Sequence, residues 1–167
     1  KDVVYCKSVR VGGDAMDRAI VQYVKRKYNL LIGERTAETI KITIGTAMLS
    51  DEANRIDVKG RDLVTGVPKT ISLSDAEVFE SLAEPIATII DAVRSALENA
   101  PPELSSDLVD RGIMMAGGGS LLRNLDALIS KETGLPVRVA EDALLCVVRG
   151  AGKVLDQLDF FRDALMK

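Results

Sequence analysis

Residues 101–126 read PPELSSDLVDRGIMMAGGGSLLRNLD, and the fold turns on how they are interpreted. The paired prolines stop any helix before them, because neither can donate to a helical ladder. Residues 112–116 (GIMMA) form an apolar strand-like run that enters three consecutive glycines, Gly117, Gly118 and Gly119. Beyond them SLLRNLDALISKE reads as a helix, LPVRVA as a strand and ALLCVVRGAGKVLDQL as a second helix. This β–α–β–α alternation predicts α/β packing, with any parallel crossover right-handed. Glycines let a ligand approach the backbone, and free amides at a helix start carry partial positive charge. A tight structural turn accounts for the same residues. No Lys-Ser/Thr pair follows, so this is not a Walker A loop, and the third glycine of GxGxxG is missing.

Working back from this stretch, Ser74 and Glu77 have capping-box spacing. Val78, Leu82, Ile86, Ile89, Val93 and Leu97 then step by three or four, which predicts an amphipathic helix of some 25 residues. Pro85 should kink or break it. The runs NRIDVKG and PKTISLS, on either side of Thr65 and Gly66, alternate like paired strands. Residues 34–47 (ERTAETIKITIGTA) fit two patterns. Ile40, Ile42 and Ile44 alternate as in a strand, while Ala37, Ile40, Ile44 and Ala47 fit a helical stripe. Residues 3–11 (VVYCKSVRV) predict a strand ending at Gly12 and Gly13. Asp14 is then expected to cap a helix, with Asp17 near its positive end. Met16, Ile20, Tyr23 and Val24 give that helix an apolar face, and Lys25, Arg26 and Lys27 suit its last turn.

Composition narrows the chemistry. In 167 residues, 22 Lys+Arg stand against 25 Asp+Glu, a net charge of −3, and there is no histidine. Imidazole triads, imidazole dyads and His-ligated metals are therefore excluded, and no metal site is expected. The slightly acidic balance, 4% aromatic content and absence of Trp argue against a nucleic-acid partner. Cys6 and Cys146 form no CxxC and are expected to be buried, reduced thiols. No apolar run approaches the roughly 20 residues of a membrane span. The start has no signal-peptide h-region and lacks an initiator Met, which suggests a piece of a longer protein.

Within residues 38–41, Glu38 and Lys41 share a face if the segment is helical. The carboxylate could then accept from ribose hydroxyls while the Lys stem packs along a base. An ordinary surface i,i+3 pair is the alternative. Gly12 and Gly13 form another glycine turn that opens a helix.

In order, GGDAMDRAI, IGERTAETIKITIGTA, GVPKTISLS, AEPI, residues 101–126, ETGLPV and AEDALLCVVRGAGKVL resemble the MreB family of bacterial actins. These are rod-shape-determining cytoskeletal proteins. The resemblance covers nearly the whole chain and implies an actin-like, ribonuclease H-like ATPase lobe, with a mixed sheet, flanking helices and a smaller inserted α/β subdomain. The expected division is residues 1–13 and 74–167 for the larger subdomain of the second lobe, and 14–73 for the smaller one. The family has a helix at residues 38–44, which selects the helical pattern there.

The resemblance also implies a site and its missing parts. Glu38, Thr39, Ile40 and Lys41 would contact the nucleoside from the smaller subdomain. The amides of Gly117, Gly118, Gly119, Ser120 and Leu121 would line its other side, with Gly12 and Gly13 near the ribose. No catalytic residue is expected here, since both phosphate loops, the catalytic carboxylates and the membrane-binding elements lie outside the matched region. ATP or ADP with Mg²⁺ would belong to the full-length parent, and this piece would need no cofactor. The parent is expected to form protofilaments with itself at the cytoplasmic face of the inner membrane, alongside cell-shape and wall-synthesis membrane proteins. The alternative is the second lobe of a sugar- or acetate-kinase-like enzyme, or of a chaperone ATPase.

Overall fold

The structure, a computed structural model, describes residues 3–51 and 53–158. Helix α1 (Gly13–Tyr28) starts from an extended Gly12 that offers no side-chain cap, so Asp14 sits in the first turn instead of capping. Its carboxylate still complements the positive helix end. Met16, Ile20, Tyr23 and Val24 are buried as the stripe predicts, and Asn29 ends the helix in the left-handed region at φ 50°.

The period conflict over residues 34–47 resolves as helix α2 (Glu34–Ile44). Ala37, Ile40 and Ile44 are buried, whereas Ile42 is 72% exposed, an arrangement that only the helical stripe explains. Strands β2 (Arg55–Asp62) and β3 (Pro68–Ser74) pair antiparallel as expected, with Val58 opposite Ile71. The two-residue strand β1 (Leu30–Leu31), too short to leave a period in the sequence, adds to the free edge of β2.

Helix α3 (Asp75–Glu98) carries the expected capping box, in which Ser74 and Glu77 satisfy each other's backbone amides. It runs unbroken through Pro85, so of the expected kink or break the break does not occur. The helix buries Val78, Leu82, Ile86 and Ile90 against the core, and that packing outweighs the one donor that proline removes. A 3₁₀ turn (Pro102–Leu104) and the short helix α4 (Ser105–Arg111) follow, neither marked by a periodic pattern.

Strand β4 (Ile113–Met115) pairs parallel with β5 (Val137–Val139). The expected helix from Ser120 is divided. Residues Gly118–Leu121 make a 3₁₀ turn, and helix α5 spans only Leu125–Thr133. The break is Asn124, held left-handed at φ 61°. Helix α6 (Cys146–Asp156) buries none of its residues.

One continuous apolar core runs from Met16 on α1 through Ile40, Leu73 and Leu82 to Ile129 on α5. The expected strand at residues 3–11 has no regular secondary structure, with a bend at Arg10, and no ladder partner among the described residues. β-branched residues favour extension, but a strand exists only where another strand takes its hydrogen bonds. Its alternation is nonetheless real: Tyr5, Lys7, Val9 and Val11 all line a cavity of about 480 Å³ against α3 and β4. The thiols are less buried than expected, for Cys6 on this unpaired segment is exposed and Cys146 is half-buried.

Candidate functional site

The α2 residues have different fates. Ile40 is 1% exposed, so its side chain belongs to the core. The Thr39 hydroxyl donates to the Arg35 carbonyl at 2.9 Å, a bond within its own helix. Glu38 stands exposed. Lys41 does not form the ordinary surface pair with Glu38. Its Nζ donates to the Gly13 carbonyl at 3.3 Å and stands 2.8 Å from Asp17 Oδ1, an ionic contact out of line for a hydrogen bond. Oδ1 accepts no hydrogen bond among the described residues. The structure thereby brings Lys41 to Gly13, at the start of α1.

Sequence reasoning missed Asp17 as a site residue. A signal was present: Asp17, Ile20 and Val24 follow the i, i+3, i+7 spacing of one face, so a carboxylate sits in a register otherwise given to the core. That placement demands a partner, because a buried charge is costly unless paired.

The glycine-rich turn departs from the expected helix start. Gly117 occupies φ 83°, a conformation that only glycine adopts without strain. Its amide donates to the Ala143 carbonyl at 2.7 Å. The Ser120 amide and hydroxyl both return to the Gly117 carbonyl, at 3.2 and 2.6 Å, and the side chain is buried. Leu121 is exposed. The Gly118 and Gly119 amides, first in the 3₁₀ turn, have no acceptor within it. A Cβ built on Gly117 or Gly119 would meet nothing within 4 Å, and one on Gly118 would meet only Leu144 Cδ2 at 3.2 Å. The chain leaves the space beside these glycines open.

A junction joins the two segments. At the exit of α2, Thr46 bridges to Arg123, and the Ala47 amide donates to the Arg123 carbonyl at 2.8 Å. The Asn124 side-chain amide reaches Thr46 Oγ1 and the Met48 carbonyl, each at 3.1 Å. Thr46 and Asn124 were not singled out in the sequence, since their contact spans 78 positions. Gly12 meets the glycine-rich turn differently, lining the same cavity as Gly119 and Ser120.

At the far end of α1, a charged cluster holds that helix to α3. Glu77 receives the Tyr28 hydroxyl, the Ser74 amide and the Lys27 ammonium, the last at 2.9 Å. Burial pushes the Glu77 carboxyl up, but these donors outweigh it and hold it at about 2. Tyr23 adds a bond to Glu80 at 2.7 Å and receives Lys27 at 3.0 Å.

The family model described as MreB/Mbl protein matches residues 1–163. The cell shape-determining protein MreB of Escherichia coli (strain K12) is 55% identical over 157 residues, covering 94% of this chain and 45% of that protein. The crystal structure of MreB5 of Spiroplasma citri bound to ADP superposes with a TM-score of 0.88 at 36% identity, covering 94% of this chain and 48% of the other. A MamK double helical filament shares the fold, with a TM-score of 0.72 at 19% identity over 86% of this chain and 44% of the other. The chain thus spans about half the length of the relatives it matches.

Proposed function

The chain belongs to the MreB/Mbl family and has its actin-like fold, and on that premise we propose that it is the second lobe of an ATP-dependent, filament-forming bacterial actin. The whole protein would organise cell-wall synthesis and hold rod shape from the cytoplasmic face of the inner membrane. Residues 14–73 would be the smaller subdomain, inserted between residues 1–13 and 74–167 of the larger one.

This lobe would supply the adenosine side of the nucleotide site. Glu38 and Lys41 would face the nucleoside from α2, with the backbone of residues 117–121 on its other side and Gly12 and Gly13 near the ribose. The observation that carries this reading is the open face of Gly117 and Gly119, tied to the exit of α2 through Thr46 and Asn124. Glycines with no neighbour to accommodate leave room for a ligand to approach the backbone. ADP bound to the similar MreB5 adds support. Mg²⁺ and the triphosphate would be held mainly by the other lobe, which would supply the hydrolytic chemistry when nucleotide is bound. Lobe closure would couple phosphate state to polymerisation, a two-state element biased by ligand.

Attachment to the membrane would come through regions outside this chain. Among the described residues no helix is long and apolar enough to cross a membrane. The expected outcome in calorimetry is weak or undetectable ATP and ADP binding by this chain alone, with no hydrolysis. Sub-micromolar ATP affinity for the isolated chain would overturn the half-site reading. Full-length protein should pellet with ATP on sedimentation, whereas a soluble kinase with this fold would stay in the supernatant.

A further inference from the structure

Among the described residues, the Asp17–Lys41 pair is the ionic contact that reaches directly into the candidate site. Both side chains are mostly buried, with 12% of Asp17 and 15% of Lys41 exposed. Each alone would be an expensive buried charge, so the two are stable only together. Asp17 lies one turn along α1 from Gly13, the residue whose carbonyl takes one of the three Lys41 donors. The ammonium is therefore aimed by a carbonyl and a carboxylate that both belong to α1, while its stem belongs to α2.

We infer that Asp17 is a positioning residue that holds the Lys41 ammonium over Gly13, so that the pair reads the sugar hydroxyls of a nucleotide and not its phosphates. The inference rests on the nucleotide-site reading above. Charge decides the ligand class. An unpaired lysine is a point attractor for phosphate, whereas a lysine neutralised at 2.8 Å presents donors without net charge. A hydroxyl oxygen accepts from such a donor without bringing a second charge into a partly buried site. Gly13 provides a second handle, because a Cβ there would come within 3.3 Å of Lys41 Nζ. Gly13→Ala therefore shifts the ammonium while keeping both charges, and it should favour the helix, in which alanine outranks glycine.

The test uses a full-length family protein carrying this sequence, with affinities for ADP, 2′-deoxy-ADP and 3′-deoxy-ADP measured by calorimetry beside thermal melts. Asp17→Asn and Lys41→Met should each cut the preference for ADP over at least one deoxy analogue by roughly tenfold, the scale of one charge-assisted hydrogen bond. The double variant should fall no further than Lys41→Met, as expected for two residues acting as one unit. Gly13→Ala should lower the same preference with no loss of melting temperature. It keeps the test decisive if Asp17→Asn does not fold. An unchanged preference in Asp17→Asn, or in Gly13→Ala where Asp17→Asn does not fold, overturns the inference whatever happens to stability. Full additivity with Lys41→Met overturns it too. If Glu38→Ala weakens ADP while the Asp17 and Lys41 variants do not, only this inference falls. If Glu38→Ala and Lys41→Met both leave ADP binding intact, the site reading falls as well.

Discussion

Asn124 donates its side-chain amide to Thr46 Oγ1 at 3.1 Å and so fastens the start of α5 to the exit of α2. The two residues flank the two segments that matter most. Thr46 lies just beyond Lys41, and Asn124 just beyond residues 117–121. A short hydrogen-bonded path therefore links the two segments. Asn124 occupies φ 61°, a conformation that asparagine tolerates better than most residues with a Cβ.

That junction makes a stability prediction with an internal control. Asn124→Ala loses the side-chain bonds and also strains the backbone, for a cost of about 2–3 kcal/mol. Asn124→Gly loses only the bonds, for about 1–2 kcal/mol. Denaturant unfolding of both variants checks the order. Equal stability of Asn124→Ala and the unaltered chain would dismiss the junction as a structural tie.

Asp62 and Glu77 should contribute to acid stability, alongside Asp75, which the Asn54 amide also holds below the ordinary carboxylate range. The Thr65 and Val64 amides, together with Lys69, hold Asp62 at about 2, and Glu77 is also held at about 2. Both folded values lie below the ordinary ones, so their stabilisation is complete above those ordinary values and is lost as pH falls through about 4 toward about 2. Thermal melts should decline across that window. Glu77→Gln keeps a capping side chain but loses the charge facing Lys27, so its decline should be shallower. Parallel acid limbs for the two proteins would contradict this.

Gly112 and Gly66 separate backbone strain from crowding. Both have positive φ, 71° and 76°. A Cβ on Gly112 would fall 2.0 Å from the Pro136 carbonyl oxygen, next to the β4–β5 pairing, whereas one on Gly66 meets nothing within 4 Å. Gly66→Ala should cost about 1 kcal/mol and Gly112→Ala about 3 kcal/mol or more. Comparable losses would mean that β4 and β5 are not packed as described.

In the full-length protein, Gly118→Val should block the approach of adenosine. It should not strain the turn, because the left-handed residue is Gly117, and the space at Gly118 meets only the exposed Leu144 side chain. Nucleotide affinity should therefore fall while the melting temperature holds within a few degrees. Glu38→Ala should weaken binding by about 1.5–3 kcal/mol if a charge-assisted ribose bond is lost. Calorimetry and melts on the same samples distinguish a binding defect from a folding defect.

The readable parts of this chain were those whose signals are local. Ser74 and Glu77 announced the start of α3, the alternation around Thr65 and Gly66 announced a hairpin, and Met16 to Val24 announced a buried helical face. Residues 34–44 carried both a period of two and one near 3.6, and resemblance to a family, not periodicity, chose between them. Residues 3–11 have the side chains of a strand, yet pairing is a property of two segments. The helix expected from Ser120 starts only at Leu125, because Asn124 serves a partner 78 residues away.

Propensity, capping and periodicity act over a few residues, so they specify which segments form helices or strands and which faces seek the core. Partners across the fold are a different matter. Lys41 is three residues from Glu38 and twenty-four from Asp17, yet it pairs with Asp17, because the packing of α1 on α2 excludes water around those two groups and leaves each charge no cheaper neighbour.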